Sequence, residues 1–201
     1  MNQASWLLLV DLDKTIWDCE DISSMRPPFK TQGGNLFFDA NGNAVRIKEY
    51  MVRFLRWARS RGALVVALSW NIPEVALEAL KTTHLISLFD YYAIEFHPRK
   101  DMMLLNLARE LREKGLYHVL NCIVYIDDSK HHLELVSSIV DACCLQPEVD
   151  FNDLASLIKA VSRCLIRCRL KTWFQYYGEQ HGDNVPGDSG SYLEHESSVH
   201  L

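Results

Sequence analysis

Asp11 and Asp13 stand one residue apart, directly after the apolar run 7–10 and before Lys14 and Thr15. A carboxylate can act as nucleophile, metal ligand or general acid and base, and a pair can divide these roles. Three more positions of this kind follow apolar runs. Ser69 comes after residues 64–68, Lys100 lies just past 92–96, and Asp127, Asp128 and Ser129 follow 122–126. Carboxylates gathered in one crevice would raise one another's pKa unless a cation lay between them. Magnesium suits that place, because it is hard, takes oxygen ligands and leaves room for a phosphate. Ser69 and Lys100 would then take the remaining phosphate oxygens as hydrogen-bond donor and point charge. Such a set suits phosphoryl transfer, in which positioning and charge neutralisation supply most of the catalysis.

Each of these residues also has an ordinary explanation. Asp13 and Thr15 suit an Asx-type turn, and Asp127 to Ser129 suit a helix N-cap. Ser69 is a common strand-end residue, and Lys100 a common surface one. Their occurrence at four successive strand ends weighs against coincidence.

The elements that must position them alternate. Runs 7–10, 64–68, 92–96, 122–126 and 141–145 read as buried strands. Helical spacing covers 48–61, 73–83, 101–114 and 130–138, and a long helix starts at Phe151 or Asn152 and reaches Tyr177. The fold class is therefore α/β, a doubly wound Rossmann-like parallel sheet with its ligands at the carboxyl ends of the strands. Pro27 and Pro28 bar a helix from 18–34. Two short apolar runs around Asn41-Gly42, at 36–39 and 44–47, predict a small β-hairpin after the first strand.

At 201 residues one domain is expected, over 1–177, with 178–201 read as a disordered tail. A net charge of −5 argues against nucleic acid as partner. None of the six cysteines forms a CxxC pair. Cys122 and Cys143 read as buried free thiols, and Cys164 and Cys168 as neighbours on one helix face rather than a bonded pair. With no leader-like start and no membrane-length apolar segment, the expectation is a reduced, cytoplasmic protein with no membrane partner. Arg163, Arg167, Arg169 and Lys171 read as a solvated helix face near its negative end. His181, His195 and His200 lack the cysteines or ordered spacing of a metal site.

Asp11-Leu12-Asp13-Lys14-Thr15 resembles the DxDxT signature of the haloacid dehalogenase-like (HAD) superfamily. Ser69, Lys100 and Asp127-Asp128 resemble its other three motifs, in order. Ile16-Trp17, the proline segment and the hairpin are similar to its magnesium-dependent phosphatase subgroup. The resemblance implies that Asp11 attacks phosphorus while Asp13 serves as acid and then base. It implies that Mg2+ is held by Asp11, Asp127 and the Asp13 backbone carbonyl, and that Ser69 and Lys100 bind phosphate. Thr15, Trp17, Asn71 and Asp128 would support the site. Trp70-Asn71 departs from the Arg-Thr usual in the subgroup. The connections are too short for a separate cap domain, so an open crevice is expected, edged by Trp17, the proline loop and Trp70. The expected activity is hydrolysis of a phosphomonoester, with a sugar phosphate or a phosphotyrosine among the candidates. A phosphotransferase, a glyceryl-transfer-like enzyme and a catalytically silent binding protein stay open as rivals, as does the oligomeric state.

Overall fold

The structure, a computed structural model, describes the backbone of residues 4–181 and the side chains of 4–174. In chain order it contains β1 (Trp6–Val10), a 3-10 turn (Ile22–Ser24), β2 (Lys30–Thr31), β3 (Leu36–Phe38) and β4 (Ala44–Arg46). Then come α1 (Glu49–Ser60), β5 (Ala63–Trp70), α2 (Pro73–Thr82), β6 (Tyr91–Glu95) and α3 (Lys100–Glu113). β7 (Ile123–Ile126), α4 (Lys130–Ser137), β8 (Ala142–Leu145) and α5 (Leu154–His181) complete the fold.

Five strands form one parallel sheet in the order β6-β5-β1-β7-β8. β1 lies at its centre, and all five of its residues are buried. That explains its unbroken apolar sequence, since alternate side chains enter two different cores. Leu8 and Val10 pack with Phe54, Leu55, Ala79 and Leu157, from α1, α2 and α5. Leu7 and Leu9 pack with Leu104, Leu107 and Leu133, from α3 and α4. The sheet is thus covered on both faces.

Register decides where the chemistry sits. Val10 pairs with Ala67 on one side and Ile126 on the other. Asp11 and Asp127 follow directly, and Ser69 lies two residues past Ala67, so all three reach the same rim. Ser69 and Trp70 belong to β5 itself, two residues beyond the expected strand end. Lys100 is the first residue of α3.

The hairpin is larger than the sequence predicted. β3 and β4 pair around Asn41-Gly42 as expected, but β2 adds a third strand, with Lys30 opposite Phe38. Two exposed residues carry no alternation by which to predict a strand. Gly42 takes φ +85°, a conformation that costs a side-chain-bearing residue energy. Inside this small sheet Phe37 is fully buried and meets Trp17 and Phe29 edge to face, at 5.8 and 5.6 Å.

α5 corrects two further expectations. It continues past Tyr177 to His181, and residues 182–201, most of the predicted tail, lie outside the described residues. It is also bonded to the sheet. Cys168 joins Cys122, just before β7, and Cys164 joins Cys143 in β8, with Cα separations of 5.4 and 5.8 Å. Cys122 and Cys143 are therefore not free thiols, and the reading of a fully reduced chain is overturned. α5 packs on one face of the sheet, where cysteines one turn apart reach the residue before β7 and a residue of β8. Cys19 and Cys144 are the unpaired cysteines among the described residues. Of the cations at 163–171 of α5, Arg167 and Lys171 reach Asp141 rather than solvent alone. No helix among the described residues is long and apolar enough to cross a membrane.

Candidate active site

The Asp11 carboxylate is buried at the end of the central strand. The backbone ladder runs on into it, because its N–H donates to the Ile126 carbonyl at 2.9 Å. Its Oδ1 accepts from Ser69 Oγ at 3.0 Å and from Lys100 Nζ at 2.6 Å. Among the described residues no donor reaches Oδ2.

Lys100 is as buried as a core leucine, at 1 % exposure. Such burial of an ammonium is tolerable only with counter-charges. They are Asp11 and Asp127, the latter's Oδ2 also 2.6 Å from Nζ. Burial works against the charged form of Lys100, but these two carboxylates outweigh it and raise its pKa. Asp127 Oδ1 accepts from the Ser129 N–H at 2.8 Å, and the Tyr125 hydroxyl donates to Oδ2. His132 Nδ1 lies 3.6 Å from Oδ1. Burial opposes ionisation of Asp127 too, yet its contacts with His132, Lys100 and Tyr125 hold its pKa below the ordinary range.

One ammonium does not balance this cluster. Burial first, then the charges of Asp127 and Asp13, push Asp11 up to about 8, despite Lys100. Asp128, half-buried, is also raised, by burial and by Asp127. Asp11, Asp127 and Asp128 each offer one oxygen, and these atoms all lie within 4.8 Å of one another. The donors are all oxygen and the cluster is short of positive charge, so it fits a hard divalent cation such as magnesium. Asp128, expected only to support, belongs to this group by geometry.

Asp13 faces elsewhere. The chain turns after it, with Lys14 at φ +54° and its own carbonyl bound by the Lys48 ammonium. The Asp13 carboxylate accepts from Trp17 Nε1 at 2.6 Å, from the Ile22 N–H at 3.3 Å to each oxygen, and from Asn71 Nδ2 at 3.0 Å. Burial nonetheless raises its pKa, which favours a proton donor. Two nearby carboxylates thus have separate surroundings: one beside an ammonium, the other among neutral donors.

Trp17 does not edge the crevice. It is fully buried against Phe37, with only its indole N–H engaged at the site. Trp70 does lie at the surface, 46 % exposed, its ring edge to face with His132 at 6.4 Å. Thr15 is fully buried, with no partner for its hydroxyl. Tyr125, His132 and Ser23 were not foreseen. Tyr125 had a signal, since it precedes Asp127 by two residues and shares its face of the strand. His132, on the first turn after Asp127, and Ser23, in an irregular loop, had none.

No protein-family model and no curated protein matches the sequence. Solved structures do. One is the N-terminal part of BF1531 from Bacteroides fragilis, which contains a phosphatase domain complexed with magnesium. It is 17 % identical, with a TM-score of 0.51 over 80 % of this chain and 40 % of that one. This chain thus spans well under half of that relative's length. Another is 3-deoxy-D-manno-octulosonate 8-phosphate phosphatase from Moraxella catarrhalis, solved with magnesium, phosphate and KDO. It is 12 % identical over 79 % of this chain and 86 % of that one, and its TM-score of 0.43 is too low for residues to be matched. With a central β1 and helices on both faces, the chain shares the doubly wound α/β fold of the first of these structures.

Proposed function

We propose that this protein is a magnesium-dependent phosphatase that hydrolyses phosphate monoesters through an aspartyl-phosphate intermediate. The observation that carries the reading is the contrast between the two aspartates. Asp11 keeps one oxygen without a donor while Ser69 and Lys100 hold the other. Asp13, two residues on, sits where a proton can be held.

In the first step an Asp11 oxygen attacks phosphorus, and the bond from phosphorus to the ester oxygen breaks. Asp13 gives its proton to that leaving oxygen. In the second step water attacks phosphorus and Asp13 takes its proton. The bond between Asp11 and phosphorus breaks, releasing phosphate and restoring the Asp11 carboxylate and the protonated Asp13. Lys100 and Ser69 hold Asp11 in place in the free site; with substrate bound, Lys100 has a third proton for a phosphate oxygen and Ser69 would turn its single proton from Asp11 to another. Asp11, Asp127 and Asp128, with the Asp13 carbonyl, would hold magnesium, which neutralises phosphate charge when bound. The substrate class is a phosphomonoester, and sugar phosphates and aryl phosphates such as phosphotyrosine head the panel to be tried.

The test is phosphate release over such a panel, with magnesium and with a chelator, in the wild-type protein and in Asp11→Asn. Release that needs magnesium and vanishes in Asp11→Asn is the expected outcome. Full activity in metal-stripped protein, or steady turnover by Asp11→Asn, overturns the reading.

A further inference from the structure

We infer that Ser23 and Asn71 form a positioning relay that fixes the direction of Asp13 and, through Ser69, of Asp11. The inference rests on the phosphatase reading for its kinetic consequence, though not for its geometry.

The relay starts at a group that can only donate. The Ile72 N–H, at the start of α2, donates to Ser23 Oγ at 2.7 Å. Ser23 must therefore accept there, and its own proton goes to Asn71 Oδ1, also at 2.7 Å. That settles which way the Asn71 amide faces: its oxygen points to Ser23 and its nitrogen to the site. The nitrogen carries two protons. One goes to Asp13 Oδ2 at 3.0 Å and the other to Ser69 Oγ at 2.9 Å. Ser69, accepting from Asn71, turns its proton to Asp11 Oδ1 at 3.0 Å. One backbone N–H thus sets the sense of every bond up to both aspartates.

The inner end of the relay is dry. Asn71 is 1 % exposed and Ser69 fully buried, so water does not compete for the bonds from Asn71 to Ser69 and from Ser69 to Asp11, while Ser23 and Asp13 are part-buried. Ser23 belongs to the same 3-10 turn whose Ile22 N–H holds Asp13. The relay therefore ties the loop after β1 to the end of β5, gripping Asp13 from both sides. A side chain with a single proton at position 71 could not serve Asp13 and Ser69 together.

The discriminating variant is Asn71→Asp, which keeps the shape but turns both donors into acceptors beside Asp13. Its kcat should fall on the order of 10²-fold, the cost of small misplacement of reacting groups, with KM changed far less. The loss should be larger for an alkyl phosphate than for nitrophenyl phosphate in the first step, because only the alkyl leaving group needs a proton. Ser23→Ala should show the same pattern more weakly, and Ser23→Thr, which keeps the hydroxyl, should recover most of it. A folded Asn71→Asp with wild-type kcat overturns the relay, and so does an equal loss on both leaving groups. The second readout does not depend on activity. It is hydrogen exchange at the Trp17 indole N–H by NMR, assigned with Trp17→Phe. Lost protection in Asn71→Asp supports the relay, and unchanged protection overturns it. If the wild-type protein releases phosphate from no ester, the phosphatase reading fails and this exchange measurement alone decides the relay.

Discussion

Asp13 meets three donors and no cation within the site, whereas Asp11 touches an ammonium. That difference predicts different failures. On the proposed mechanism Asp13→Asn keeps the nucleophile but loses the proton donor, so both steps with an alkyl phosphate should slow by about 10²–10⁴-fold. With nitrophenyl phosphate the first step should be nearly spared and the second still slow. Phosphoenzyme should then accumulate on Asp11, where rapid acid quench and mass spectrometry would find it; phosphate on another residue refutes the assignment. Asp11, Ser69, Lys100 and Asp127 were legible because each follows an apolar run, so linear order implied one rim. Trp17 was misplaced for a related reason. Sequence shows that it follows the motif, but only Phe37, twenty positions on in a separate sheet, shows that its ring is core. Ser23 was invisible, because its partners Asn71 and Ile72 lie nearly fifty residues away.

The small β2–β3–β4 sheet acts on the site through packing. Phe37 supports Trp17, and Trp17 holds Asp13. Phe37→Ala should cost about 3–5 kcal/mol of stability, the usual range for a large buried aromatic, read as a lower urea midpoint. Turnover should fall as well, if the indole loses its seat. The turn of this sheet is organised by Asp39, which accepts from the N–H groups of Arg26, Asn41 and Asn43 and from the Asn43 side chain. Burial is the largest single effect and works against its charge, but these bonds together outweigh it and lower its pKa. Its contribution to stability is therefore complete above the unfolded value of about 3.9 and is lost as pH falls through the lower folded value. Urea unfolding should find Asp39→Asn less stable than wild type at pH 7, with the gap closing toward pH 3. A constant gap refutes this. The β3–β4 turn was readable from Asn41-Gly42, whereas β2 was not, since its pairing depends on a neighbour rather than on its own pattern.

At the scale of the whole molecule, the strand order puts β1 between β5 and β7, so groups from three strands converge on one rim while α5 closes one face of the sheet. The alternation of strands and helices made that architecture legible. The two disulfides were not, because six cysteines allow fifteen full pairings, and more when two stay free, and only the path of α5 selects these two bonds. Those bonds have a mechanical consequence. Pulled by its two ends, the chain would pass tension straight from Cys122 to Cys168 through sulfur. Everything between them, including β7, α4, β8 and Asp127, would carry no load. The bypassed stretch spans 46 residues, which at roughly 3.5 Å each hides about 160 Å of contour length. In an optical trap the oxidised protein should unfold with a total extension shorter by that amount than the reduced protein. Equal extensions would mean that the staple is absent. Asp127 and Asp128 thus lie inside a loop that force cannot open, while Asp11 and Asp13 lie outside it.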